Sequence, residues 1–151
     1  MRVAIGGDHA GFELKERLKQ ELGRLGHQVD DLGTHSDEPV DYPDFCFPVA
    51  ERVARGEADR GIVLGGSGIG ESIAANKVAG VRASVVTSDE TARLTRLHND
   101  SNVLALGGRT NRHEDAVRWL RIWLETGFEG GRHVPRLEKI RDYERSHLSP
   151  R

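Results

Sequence analysis

Short aliphatic runs alternate with amphipathic stretches along this whole chain, and that alternation limits the architecture more than any other feature. Arg2 to Ile5, His27 to Leu32, Gly61 to Gly65, Val81 to Thr87 and Asn102 to Leu106 read as strands. Phe12 to Gly26, Asp44 to Arg55, a stretch around 70–78, Asp89 to His98, His113 to Thr126 and Pro135 to His147 read as helices. The first of these helices carries Leu14, Leu18, Leu22 and Leu25 at helical spacing, with charges on the other face. Ser88 or Asp89 suits the N-cap of the fourth, and Pro135 suits the first turn of the last, whose Leu137, Ile140 and Tyr143 form one apolar stripe. Strands separated by helices imply an α/β fold with a parallel sheet covered on both faces. Ligands of such folds gather at the carboxyl ends of the strands.

With 151 residues the chain is expected to form one domain over 1–147, with residues 148–151 as a fraying tail. A formal charge of −2 gives no reason to expect nucleic acid or a membrane surface as partner. No apolar stretch approaches membrane-spanning length, and Met1 leads straight into strand-like sequence rather than a signal peptide. The single cysteine, Cys46, excludes an internal disulfide and sits between Phe45 and Phe47, where packing is its expected role. These features together point to a cytoplasmic globular domain.

The third strand runs directly into Gly65-Gly66-Ser67-Gly68-Ile69-Gly70-Glu71 and then a helix. A strand, a glycine turn and a helix start gather bare backbone N–H groups at a positive helix end, where an anion can sit. Known nucleotide loops do not fit. The dinucleotide fingerprint puts its third glycine on Glu71 when started from Gly66, and the NTPase loop would have Lys where Glu71 stands. A tight strand-to-helix turn explains one or two glycines, but not four around a serine and a carboxylate.

Other strand ends add chemistry. The first strand leads into Asp8 and His9, the fifth into Gly107-Gly108-Arg109, and the helix after the fourth ends in His98-Asn99-Asp100. Loops at one edge of a parallel sheet converge, so these residues are expected to share a cleft. Singly, each has a plainer reading as turn carboxylate, solvated imidazole, helix C-cap or surface cation. A metal site on Asp8, His9, His98 and Glu71 lacks any recognised ligand spacing. A hydrolase with Ser67 as nucleophile finds Ile69 where its motif needs glycine. Arg132 and Arg136, four apart at the start of the last helix, suit a phosphate grip.

Gly6-Gly7-Asp8-His9-Ala10-Gly11, Asp41-Tyr42-Pro43, the 65–70 loop, Ile73 to Lys77, His98-Asn99-Asp100 and Arg132-His133 together resemble type B ribose-5-phosphate isomerase. That family also contains galactose-6-phosphate isomerase subunits. The resemblance implies a three-layer α/β/α, Rossmann-like fold with a five-stranded parallel sheet in the order 2-1-3-5-4. It implies an obligate homodimer, able to pair into a tetramer, with the C-terminal helix in dimerisation and active sites at the subunit interface. The activity implied is an aldose–ketose isomerisation through a cis-enediolate, with no metal or other cofactor. By the same resemblance Glu71 is the general base, because this chain has Gly65 where another branch of the family has a cysteine. The N–H groups of Ser67, Gly68, Ile69 and Gly70 form the anion hole, and the Ser67 hydroxyl relays a proton. His98, helped by Asp8, opens the cyclic sugar, and Asn99 binds it. His9, Arg109, Arg132 and Arg136 grip the phosphate, and Tyr42 lines the site. Ribose 5-phosphate and ribulose 5-phosphate are the expected pair, with tetrose 4-phosphates or hexose 6-phosphates as alternatives. A non-catalytic sugar-phosphate-binding regulator would have no use for Glu71 and His98.

Overall fold

The computed structural model describes residues 1–148. Five strands, β1 (Arg2–Gly7), β2 (Gln28–Asp31), β3 (Arg60–Gly65), β4 (Ala83–Val85) and β5 (Val103–Gly107), form one parallel sheet in the order β2-β1-β3-β5-β4. The helices are α1 (Phe12–Arg24), α2 (Pro43–Ala54), α3 (Ile69–Ala75), α4 (Asp89–Asn99), α5 (His113–Glu125) and α6 (Val134–His147), with a 3-10 turn at Gly131–His133 before α6.

Strand residues alternate between the two faces, so a sheet covered on both sides needs continuous apolar runs. Val3, Ile5, Ile62, Leu64, Leu104 and Leu106 pack with α1, α4 and α5 through Leu14, Leu18, Leu22, Ala92, Leu120 and Trp123. Ala4, Val63, Val103 and Ala105 face α2 and α3, meeting Cys46, Val49, Ala50, Ala74 and Ala75. The fold class and strand order agree with expectation. The edge strand β4 is shorter than the stretch 81–87, because the backbone of Arg82 turns to the Asn102 side chain while Ser88 and Thr91 organise the next cap.

Ser88 caps α4, accepting from the Thr91 N–H at 3.0 Å. Leu148, assigned to the tail by sequence, instead caps α6, its N–H donating to the Glu144 carbonyl at 2.8 Å; the expected fraying otherwise falls on 149–151, outside the described residues. The apolar stripe of α6 is only half covered. Leu137 is buried, while Ile140 and Tyr143 stay exposed, as do Ile69 and Ile73 on α3.

Candidate active site

Three loops at the carboxyl edge of the sheet are bound together by backbone hydrogen bonds. The Asp8 N–H donates to the Leu64 carbonyl, the Gly108 N–H to Gly65, and the Arg109 and Thr110 N–H groups to Gly66. Asp8 is buried and accepts from the N–H groups of Ala10 (2.9 Å) and Gly11 (3.2 Å). His9 Nδ1 accepts from the Val40 N–H at 3.1 Å, which leaves Nε2 as the proton-bearing nitrogen of the neutral ring. His9 and Arg109 line one cleft of about 350 Å³, together with Glu13, Asp37 and His113.

Glu71 occupies the third position of α3, after Gly68 as N-cap. Gly68 has φ +83°, the left-handed conformation that glycine adopts without a Cβ penalty. The Glu71 carboxylate folds back over β3 and fills the space that a side chain at Gly65 would take, since a Cβ there would overlap Oε1. The residue is 4% exposed, and Oε2 has no hydrogen-bond partner among the described residues. Burial holds this carboxyl above the usual carboxylate range; the N–H groups of Glu71 and Gly68 oppose the shift, and the Asp8 charge adds to it. A buried carboxylate oxygen without a partner is able to take up a proton.

The loop donors are not all free. The Ile69 N–H turns to Ser67 Oγ (3.2 Å) and the Gly68 N–H faces the Glu71 carboxylate. Two of the four N–H groups expected to form an anion hole are thus engaged within the loop. Tyr42 packs on the loop: a Cβ at Gly70 would lie 2.7 Å from its hydroxyl oxygen. Cys46 is buried nearby, and burial together with the Glu71 and Asp8 charges pushes its thiol up, so it is no nucleophile.

His98 and Asn99 lie elsewhere. A helix that follows a parallel strand runs back to the amino edge of the sheet, and α4 ends there, three residues before β5 begins. The Gly61 N–H, at the start of β3, donates to the Asn102 carbonyl, which ties this corner to the amino edge. Five residues of strand separate the two edges, roughly 15 Å. Within one chain His98 therefore does not share a cleft with Glu71, and the expected convergence is corrected. The metal set of Asp8, His9, His98 and Glu71 is divided by the same distance. Asp100 fulfils the plainer reading: it is the left-handed C-cap of α4, paired with Arg96.

At the amino edge His98 has neighbours whose contact with it the sequence did not reveal, and one of them, Glu129, the sequence did not single out. Its ring stacks on His133, with centroids 4.4 Å apart and planes 20° from parallel. Glu129 Oε2 lies 3.8 Å from Nε2 of both rings, and Arg132 Nη1 lies 3.5 Å from Glu129 Oε1. Arg132 and Arg136 are exposed at the start of α6. Burial, then the charges of Arg132 and His98, push the His133 imidazole below its usual range and toward the neutral form. Arg132-His133 stood in the sequence as a motif, but only the packing brings it to His98. The expected site residues thus form two groups: Asp8, His9, Tyr42, Ser67, Gly68, Ile69, Gly70, Glu71 and Arg109 at one edge, and His98, Asn99, Arg132 and Arg136 near the other.

Residues 3–140 match the family model described as Ribose/Galactose Isomerase. Ribose-5-phosphate isomerase B of Escherichia coli is 48% identical over 139 residues, covering 92% of this chain and 93% of that one. The structure of the Clostridium thermocellum ribose-5-phosphate isomerase B superposes with a TM-score of 0.95 at 49% identity, covering 97% of this chain and 99% of that one. The Mycoplasma genitalium enzyme of the same name, with bound ribulose-5-phosphate, superposes with a TM-score of 0.92 at 40% identity over 95% of this chain and 96% of that one.

Proposed function

Since the chain belongs to the ribose/galactose isomerase family, we propose that it interconverts ribose 5-phosphate and ribulose 5-phosphate, with Glu71 as general base. The observation that carries this reading is the Glu71 carboxylate: buried, raised in pKa, seated over Gly65, with one oxygen unpartnered beside the glycine loop.

The reaction begins on the cyclic sugar. His98 gives a proton to O4, the C1–O4 electron pair leaves with that oxygen, and Asp8 takes the O1 proton as C1 becomes a carbonyl. Glu71 then removes the C2 proton, and the electron pair moves through C1–C2 to O1, forming the cis-enediolate. The Ser67 and Gly70 N–H groups meet the negative charge as it develops, which is where preorganised donors contribute most. The Ser67 hydroxyl relays a proton from O2 to O1, and Glu71 returns its proton to C1, completing the ketose. Every step uses side chains and backbone groups of the protein, with no cofactor.

Because Glu71 and His98 lie at opposite edges of one sheet, the reading includes a homodimer in which each site takes His98, Asn99, Arg132 and Arg136 from the second copy. His9 Nε2 and Arg109 would hold the phosphate from one side and the two α6-side arginines from the other. Exposed Ile69, Ile73, Ile140 and Tyr143 supply apolar surface suited to burial between copies. No described helix is long and apolar enough to cross a membrane, and we assign the reaction to the cytoplasm, where a phosphorylated sugar is retained. Assaying the purified protein on four-, five- and six-carbon aldose phosphates tests the substrate. Preference for the tetrose or hexose would overturn the assignment of ribose, and activity lost to EDTA and restored by a divalent ion would overturn the metal-free mechanism.

A further inference from the structure

We propose that His133 and Glu129 are positioning residues for His98: the His133 ring is the platform that sets the plane of the His98 imidazole, and Glu129 holds its Nε2 edge. The inference rests on the reading of His98 as the acid that opens the sugar ring. A donor on the last turn of a surface helix is free to rotate about two side-chain torsions, so its useful geometry has to come from neighbours. The structure provides them from a distant segment. The His133 residue is 6% exposed, while the His98 side chain is one-third exposed, so the buried ring supports the accessible one. The Glu129 N–H donates to the Leu97 carbonyl at 3.0 Å, pinning the Glu129 backbone to the turn that carries His98.

The same three residues bring potential metal-ligand atoms within 4.8 Å of one another. Stacked rings only 20° from parallel argue for a different use. Ring-nitrogen lone pairs lie in the ring planes, and two such planes do not meet at a point about 2 Å from both nitrogens, as zinc would need. Stacking with a carboxylate across both Nε2 edges suits a fixed proton donor instead. The groups facing it are Glu129 and His133. His133, buried and beside two arginines, favours its neutral form, and its Nε2 has no hydrogen-bond partner among the described residues.

The test compares kcat/KM on ribose 5-phosphate with kcat/KM on 4-deoxyribose 5-phosphate, which lacks the hydroxyl that closes the furanose and needs no ring opening. His133→Ala should lower activity on ribose 5-phosphate by about 10–100-fold and leave the deoxy substrate nearly unchanged. His133→Phe, which keeps the flat platform and the buried volume, should restore most of that ratio, while Glu129→Gln should lower it. Activity on the deoxy substrate also reports that each variant is folded. Equal losses on both substrates, or no loss on either, would overturn the proposal. His98→Asn separates the two levels of the argument. An unchanged ratio in that variant removes His98 as the ring-opening acid, whereas a shifted ratio there with none in His133→Ala removes only the platform.

Discussion

Glu71 and Gly65 divide one volume between them: the carboxylate of the first lies where the second would carry its side chain. A base at residue 71 therefore depends on glycine at 65, six residues upstream and on the preceding strand. Gly65→Ala is expected to displace the carboxylate from its seat and to lower kcat by about 10²-fold or more, the range in which a positioned base contributes. The far-ultraviolet spectrum should stay native. Full activity with alanine at 65 would show that the base does not work from this position.

Glu71→Gln keeps the shape and removes the base, so turnover should fall by roughly 10²–10⁴-fold. The same substitution predicts a stability effect of definite sign. The folded-state pKa of Glu71 lies above its ordinary value, mainly through burial, so the native protein holds this proton more tightly than the unfolded chain does. The associated stability is fully present below the ordinary value near 4.5 and is lost as pH rises through the raised pKa. The glutamine variant should accordingly melt at a higher temperature than the parent at pH 8, with the difference closing toward pH 4. A lower melting temperature at pH 8 would contradict the burial account.

A site shared between two copies predicts complementation. Glu71→Gln and His98→Asn homodimers should each be strongly impaired. Refolded together in equal amounts, they should recover about a quarter of the parent activity, because half the dimers are mixed and each mixed dimer keeps one intact site. Recovery that stays at the level of the separate variants would mean that both residues serve the same copy.

Asp31 carries a separate prediction, about the scaffold. Lys15, whose side chain is 1% exposed, pairs with Asp31 at 2.7 Å, and Lys19 reaches the same carboxylate. Burial opposes ionisation of Asp31, but the bonds from Lys15, Lys19 and the Gly33 N–H outweigh it and hold the carboxyl down to about 2. Its contribution is present above its ordinary value of 3.8 and is lost as pH falls toward 2. Asp31→Asn should cost about 3 kcal/mol at pH 7, since it leaves a buried ammonium with only the half-exposed carboxylate of Glu16. Denaturant titrations at pH 7 and pH 2.5 should show that cost shrinking in acid.

Much of the fold was legible along the chain, for a local reason. Ile62-Val63-Leu64 and Val103 to Leu106 are continuous apolar runs because both faces of a central parallel strand are covered, while Leu14, Leu18 and Leu22 repeat at helical spacing because one face of α1 is. Ser88 announced the α4 cap through a side chain that serves its own neighbouring backbone. Val81 to Thr87 was less legible, since an edge strand pairs on one side only and its length is set by its partner and by Asn102.

The candidate site divides along the same line. Sequence alone determined that a carboxylate, a serine and four glycines crowd one strand-to-helix turn, because residues adjacent in the chain cannot be far apart. It could not decide whether His98 joins them, since that depends on which edge of the sheet a helix ends at and on what packs there. Tertiary structure took His98 to the edge opposite Glu71 and laid it on His133, thirty-five residues further along. It also lowered the Glu71 carboxylate into the space left by Gly65, a fit made only when strand, loop and helix are all in place.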